Sequence, residues 1–364
     1  MSETLASTPA ADGFRMPAEW ETHAGCWMIW PERVDNWRGG AAPGQAAFAA
    51  VASAIAAHEP LTMLVSPGQW SNARRQLPAS VRLVEASTDD SWCRDSGPSF
   101  VVDTRGRLRG VDWEFNAWGG LYAPCEADRL LAAKVLEVER APRYRAPLVL
   151  EGGSIHVDGE GTVLTTEECL LNPNRNPELS RVEIEEHLKD YLGVSTVIWL
   201  GAGLVDDETS GHIDNLACFV RPGVVALTWC EDPNDPQYAI SRDALERLSK
   251  ARDARGRTLE IVKLPLPGPL FRGTEEAIDS MEPSHGTMSR GAGERLGASY
   301  ANFYIGNGLV LMPELDPRTD GEARSILTKL FPDRTVIGLP TREILLGGGN
   351  IHCITQQQPA GIPG

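Results

Sequence analysis

Four stretches of this chain carry residues able to do covalent chemistry. One is Gly347-Gly348-Gly349-Asn350-Ile351-His352-Cys353, which sets a cysteine behind a glycine run near the C-terminal end. Consecutive glycines weaken an ordinary strand, because glycine loses the most backbone entropy and packs no side chain. They fit where a backbone bends sharply or a ligand comes close. Cys353 at the end of such a run is a candidate nucleophile, given a base and a pocket from elsewhere in the chain. The competing reading is a buried structural thiol after a tight turn, since cysteine is among the most buried residue types.

The other three stretches are rich in carboxylates. Asp89-Asp90-Ser91-Trp92-Cys93-Arg94-Asp95-Ser96-Gly97-Pro98 joins an aromatic, a cation and several acids beside a predicted strand over 99–102. It reads as a site loop or as a solvated turn with an Arg94–Asp ion pair. Glu151 follows an apolar run and precedes two glycines; buried there, it needs a partner, which either a backbone amide or a catalytic group supplies. The richest stretch is Asp206-Asp207-Glu208-Thr209-Ser210-Gly211-His212-Ile213-Asp214-Asn215. On a strand, His212 and Asp214 point to the same face. His-x-Asp also suits two metal ligands, but no His-rich partner motif accompanies it.

One chemical proposal uses all four stretches. Asp95 and Asp214 around a common pocket repel each other unless a cation lies between them. A guanidinium suits that place: it is planar, permanently charged and offers a fork of donors. Its central carbon is a poor electrophile, so a strong nucleophile is required, and the Cys353 thiolate is the strongest that side chains offer. The cation itself favours the thiolate. His212 then protonates departing ammonia and deprotonates the hydrolytic water, with Glu151 orienting it. Trp92 covers the guanidinium face by cation–π contact, or simply packs.

The elements that must position these groups alternate. Apolar spacing predicts helices over 45–58, 126–140 and 180–192, the last opened by Ser180 and Glu183 in capping-box register. Short β-rich runs lie between them at 61–65, 148–157, 162–166, 196–200, 224–229, 309–312 and 336–339, so the fold class is α/β. Gly152-Gly153-Ser154-Ile155-His156 is echoed by Gly348-Gly349-Asn350-Ile351-His352, and more weakly around Gly211 to Asp214. Such echoes suit repeated modules about an axis, although two copies also arise by chance in a glycine-rich chain. Residues 1–13 are expected to be flexible, 14–360 to form one domain, and the Pro/Gly-rich 265–297 to be a long loop, either a lid over the site or plain surface.

Composition narrows the partners. The chain has 364 residues, 42% hydrophobic, with a formal net charge of −16. That charge disfavours nucleic acid and favours a small cation. Seven cysteines stand at 26, 93, 125, 169, 218, 230 and 353 without a CxxC pair, which suits a reducing compartment. No signal-like segment opens the sequence, and the most apolar helical stretch, 46–57, is too short to span a bilayer, so the expected location is cytoplasmic with no membrane partner.

The motifs together resemble the agmatine deiminase family of guanidino-group-modifying enzymes. Besides the stretches above, the resemblance rests on Met16-Pro17-Ala18-Glu19-Trp20, Gly25-Cys26-Trp27-Met28-Ile29-Trp30-Pro31, Asp35-Asn36-Trp37-Arg38, Phe115-Asn116-Ala117-Trp118-Gly119-Gly120 and Ile354-Thr355-Gln356-Gln357-Gln358-Pro359. It implies a five-bladed pseudo-symmetric α/β propeller with the site on its axis, and hydrolysis of agmatine to N-carbamoylputrescine and ammonia through an amidino-cysteine. It implies Cys353 as nucleophile, His212 as acid–base with Glu151 in support, and Asp95 and Asp214 as the guanidinium clasp. No metal or cofactor is called for, and a homo-oligomer, dimer or tetramer, is expected. Two positions depart from the family pattern, Asp206 in place of Asn and Cys93 in place of Met. Agmatine ends in an amine where arginine has a carboxylate, so the acids at 206–208 have the right sign for it, and Glu208 is the candidate partner of that amine. The rivals are a deiminase of arginine, methylated arginine or peptidyl arginine, a metal hydrolase built on His212 and Asp214, and a polyamine-binding protein.

Overall fold

The structure is a computed structural model that describes residues 2–278 and 290–364. Five separate sheets form among these residues, and one local order recurs in all of them. A first strand pairs antiparallel with a second, a helix follows, and a further strand returns parallel to the second. His156–Val157, Thr162–Thr166, helix Arg181–Leu192 and Thr196–Leu200 make one such unit. Ala217–Arg221, Val224–Trp229, helix Gln237–Lys250 and Glu260–Pro265 make another. Tyr304–Gly306, Leu309–Glu314, helix Asp320–Leu330 and Thr335–Pro340 repeat it. Ser99–Asp103, Arg107–Glu114, helix Leu131–Glu139 and Arg143–Val149 do so again, with edge strands enlarging that sheet to six. The last unit joins both chain ends: Gln356–Pro359 pairs with His23–Ile29, and Leu61–Val65 returns after helix Ala42–Ala56.

The helices are where they are because parallel strands need a crossover and each crossover can bury an apolar stripe on its sheet. Phe48, Val51 and Ile55 do this in one unit, and Ile184, Leu188 and Leu192 in another. Each such side chain contributes about 1.5–3 kcal/mol when fully buried. Helix Arg181–Leu192 starts at a complete capping box between Ser180 and Glu183 and stops at Gly193, whose φ of +66° suits glycine.

Just before the first strand of each unit the chain turns tightly. Helical turns at Cys93–Ser96, Gly152–Ser154 and Ile213–Asn215 do this in three units, and turns at 300–301 and 351–354 in the other two. Two expectations are corrected here. The strand foreseen over 148–157 ends at Val149 and resumes at His156, because Glu151 to Ser154 turn inward. His212 and Asp214 do not share a strand face: His212 precedes a one-turn helix, and its N–H is held by the Asp207 carboxylate at 3.1 Å.

The start of the chain is also more ordered than its composition suggests. Thr4–Leu5 pairs with Arg143 and Tyr144, and the Asp12 carboxylate accepts from the Tyr144 hydroxyl and Arg109, each at 2.7 Å. The flexible segment expected over 1–13 is thus tied down from Thr4 to Asp12 by ladder bonds and one buried-edge carboxylate. Of the expected long loop over 265–297, residues 279–289 lie outside the described residues. Its flanks hold each other: Leu296 donates to Leu270 and Arg272 to Glu294, both at 2.9 Å. No helix among the described residues is long and apolar enough to cross a membrane.

Candidate active site

The five turns deliver polar side chains to one place. Cys93–Ser96 carries Asp95, the turn opening at Gly152 follows Glu151, and Ile213–Asn215 carries Asp214 just after His212. The turn at 300–301 leads to Asn302, and the turn at 351–354 carries His352 and Cys353. All of these residues are buried. Asp95 and Cys353 line a cleft together with Trp92, Trp118, Leu121, Glu208, Thr209 and Gly347 to Gly349.

The glycines of the paired motifs are explained by crowding. A Cβ on Gly153 would stand 2.6 Å from His212 Nδ1 and 2.9 Å from Asp95 Oδ1. One on Gly349 would stand 2.5 Å from the Trp92 ring and 3.1 Å from Cys353 Sγ. The backbone approaches the reactive groups so closely that no side chain fits.

The Cys353 sulfur lies 3.6 Å from Asp214 Oδ2 and 3.1 Å from the Asn302 amide nitrogen. Burial pushes its thiol well above the ordinary value, and the carboxylates of Asp214 and Asp95 add to this. Asp95 accepts from the Trp118 indole at 3.0 Å and from the Gly153 amide at 2.9 Å. Burial raises its carboxyl to about 6 against the pull of His212, with Asp214 and Glu151 also pushing it up. Asp214 is lower than an ordinary carboxyl: burial, the largest influence, would raise it, but the 2.9 Å hydrogen bond and charge of His352 together with His212 and Arg94 outweigh that.

His212 stands between two acids, with Nδ1 3.8 Å from Asp95 Oδ1 and Nε2 3.4 Å from Glu151 Oε2. These are ion-pair distances without hydrogen-bond alignment. Burial works against its charged form, yet Asp95, Cys169 and Glu151 hold the imidazole well above its usual range. Glu151 is fixed from behind by Arg175, whose Nε donates at 2.7 Å. Both ring nitrogens of His212 and Oδ1 of Asp214 are buried without a hydrogen-bond partner among the described residues. Orphaned polar atoms of this kind face a place where a polar ligand completes them.

Trp92 lines the cleft, its indole donating to Asp90 at 3.0 Å and its ring tilted against Trp37 at 5.4 Å. The acids at 206–208 diverge. Asp206 has a left-handed φ of +61° and lies 3.6 Å from Arg295; Asp207 caps Thr209 and His212. Only Glu208 lines the cleft, and it meets Arg290 in a two-pronged ion pair, with Nη2 to Oε2 at 3.0 Å. Arg290 also donates to Asn36 Oδ1 and to the Gly347 carbonyl, each at 2.7 Å. The His-x-Asp pair does not converge as metal ligands: His212 clusters with Glu151 and Cys169, while Asp214 bonds His352.

Sequence reasoning missed Asn302, Arg175 and Arg290 as site residues. Trp118, Glu19 and His352 stood inside quoted motifs, with no role read from them. Asn302 carries no local signal, whereas the tryptophan between Asn116 and two glycines was a clue to a constrained turn.

Comparison with known proteins follows from this geometry. The family model for Porphyromonas-type peptidyl-arginine deiminase matches residues 15–359. An agmatine deiminase of Pseudomonas aeruginosa is 58% identical over 360 residues, covering 97% of this chain and 98% of that protein. One of Pseudomonas putida is 57% identical over 366 residues, covering 99% of each. A solved structure of the agmatine deiminase of Enterococcus faecalis is 48% identical, with a TM-score of 0.95 over 99% of this chain and 100% of that one.

A protonated Cys353 predicts a slow thiol. At neutral pH, iodoacetamide should label Cys125, the only cysteine that is not buried, well before Cys353, and labelling of Cys353 should accelerate as pH rises. Peptide mapping by mass spectrometry checks this. Rapid, pH-independent labelling of Cys353 would indicate a preformed thiolate.

Proposed function

The chain belongs to the Porphyromonas-type peptidyl-arginine deiminase family, and from that premise we infer that it hydrolyses agmatine to N-carbamoylputrescine and ammonia, within putrescine metabolism. The observation that carries the reading is one thiol, Cys353, which lines a cleft with the buried carboxylate Asp95 and lies 3.6 Å from the buried carboxylate of Asp214.

The roles follow from the geometry. The guanidinium lies between Asp95 and the orphaned Oδ1 of Asp214, under Trp92, with its central carbon facing Cys353 Sγ. Its positive charge favours loss of the thiol proton, and the sulfur bonds to that carbon. His212, charged before substrate arrives, gives its proton to the departing nitrogen, leaving ammonia and an amidino-cysteine. Neutral His212 then takes one proton from water, whose oxygen bonds to the same carbon; as the carbon–sulfur bond breaks with its electron pair on sulfur, the second water proton passes to the sulfur and a carbonyl is left on the product. The released ammonia and the thiol's original proton together make ammonium, so the enzyme returns to its starting state. Glu151, held by Arg175, orients His212.

The same reading extends to the whole protein. Five units of one pattern suit a five-bladed propeller with this cleft on its axis and residues 14–360 as one catalytic domain. We assign a cytoplasmic homo-oligomer acting on a small cation, without cofactor or metal.

The deciding experiment compares agmatine, arginine and peptidyl arginine, with products identified by mass spectrometry. Agmatine should give N-carbamoylputrescine, and Cys353→Ser should abolish it; product formation at the parental rate by that variant would end the mechanism. In the free enzyme Asp95 must be ionised to hold a cation. Its raised carboxyl therefore predicts that kcat/KM for agmatine falls as pH drops through about 6 and is level just above it. An acid limb at the ordinary carboxylate value, about 4, would contradict this.

Glu208 is the candidate partner of the far amine, directly or through water, and it must serve that amine while neutralising Arg290. Glu208→Gln should raise KM for agmatine more than it lowers kcat, and should lessen discrimination against arginine, because it removes a negative charge from the cleft that repels a substrate carboxylate. An unchanged KM would remove Glu208 from substrate binding.

A further inference from the structure

Behind Asp214 runs a second set of buried polar groups that the reaction above does not use. His352 Nδ1 lies 2.9 Å from Asp214 Oδ2, and its Nε2 lies 2.8 Å from Glu19 Oε1. Both neighbours are carboxylate oxygens. An ionised carboxylate only accepts, and a neutral imidazole donates from one nitrogen only. The two bonds are satisfied together only when His352 carries a proton on each nitrogen.

The surroundings support that state. Glu19 is a hub: Arg94 Nη1 stands 3.3 Å from Oε1, and His156 Nε2 stands 3.7 Å from Oε2. His156 Nδ1 accepts from the Phe219 amide at 3.2 Å, which leaves its proton on the nitrogen facing Glu19. Burial would protonate Glu19, but His352, Arg94 and His156 hold it well below the carboxylate range. Burial and Arg94 push the His352 imidazole down, and Glu19 and Asp214 lift it above its usual value. Glu19, His156 and His352 also have ligand atoms close enough for a metal ion. Arg94 already supplies a cation at the Glu19 oxygen that bonds His352, and the His156 nitrogen facing Glu19 carries a proton, so the trio is filled by protons and a guanidinium.

We propose that His352, held as an imidazolium by Glu19, is the positioning residue that fixes Asp214 for the guanidinium. Its bond to Oδ2, the oxygen 3.6 Å from Cys353 Sγ, sets the angle of that carboxylate beside the thiol and leaves Oδ1 without a bond of its own. The backbone of His352 is pinned as well, its N–H donating to Asn302 Oδ1 at 3.0 Å, so the imidazole and the thiol on the next residue move as one piece. This rests on the reading of Asp214 as half of the guanidinium clasp.

Two amide substitutions separate the bonds. The amide nitrogen of asparagine falls near the position of imidazole Nδ1, and that of glutamine near Nε2. His352→Asn therefore keeps the Asp214 bond and loses Glu19, while His352→Gln keeps Glu19 and loses Asp214. With agmatine, kcat/KM of His352→Gln should fall about 100-fold, and that of His352→Asn by no more than about 10-fold, at similar melting temperatures. Equal losses, or both variants within about twofold of the parent, would overturn the proposal. Should either variant fail to fold, neutron diffraction from crystals of the unaltered enzyme decides. Deuterium on both Nδ1 and Nε2 of His352 is expected, and deuterium on one alone overturns it. An unaltered enzyme that left agmatine intact would instead sink the substrate reading, while the neutron map would still report on His352.

Discussion

Two carboxylates buried beside one thiol cannot stay ionised unless cations reach them from within the protein, because the charged form is penalised wherever water is excluded. Asp95 and Asp214 meet that constraint in matching ways. From Asp214 the sequence of contacts runs to His352, then Glu19, then Arg94. From Asp95 it runs to His212, then Glu151, then Arg175. Anion and cation alternate along both arms, and each arm ends on a buried arginine that is permanently charged.

The arms also explain why five separate turns are needed. Each group must approach the thiol from a different direction, and one strand or helix would present its side chains along a single line. A tight turn before the first strand of each unit aims one or two side chains inward and leaves the strands, helices and their apolar stripes to fix the position. The cost falls on the backbone, which is drawn in so far that Gly153 and Gly349 have no room for a Cβ. Units carrying short constrained turns let the same scaffold hold eight alternating charges.

The helices and most strands were legible because they obey single-element rules. Phe48, Val51 and Ile55 repeat at helical spacing, and Ser180 with Glu183 announces a cap. The sequence also singled out Cys353, His212, Glu151, Asp95 and Asp214, each ambiguous by local pattern alone and given a role only by the family resemblance, and all five are buried. What escaped was set by distance in sequence. Asn302 lies in an aromatic run with nothing polar to mark it, and it touches Cys353 only through the fold. Arg175 sits on an ordinary polar loop, yet it meets Glu151 with no exposure. The strand through Glu151 and the face shared by His212 and Asp214 were misread because alternation was extended across glycines and a capped turn, where backbone bonds to Asp207 decide the conformation instead. The opening residues looked disordered by composition, and ladder bonds at Thr4–Leu5 together with the Asp12 carboxylate tie them down.

The two histidines of the arms divide the work by how completely they are bonded. His352 has a carboxylate on each nitrogen and no freedom to exchange protons without breaking a bond. His212 has acids nearby but no aligned partner on either nitrogen, so its proton can leave toward a reacting group and return from water. In the free protein four buried anions face four buried cations across a neutral thiol. A guanidinium adds one positive charge, and loss of the thiol proton adds one negative charge at the adjacent atom. Arrival of the cation thus restores the balance only if the sulfur ionises, which confines thiolate formation to the moment when an electrophilic carbon stands beside it. On the proposed mechanism a neutral ligand of the same shape provides no such compensation, so selectivity for a cationic head group rests on the proposed nucleophile as well as on the proposed carboxylate clasp.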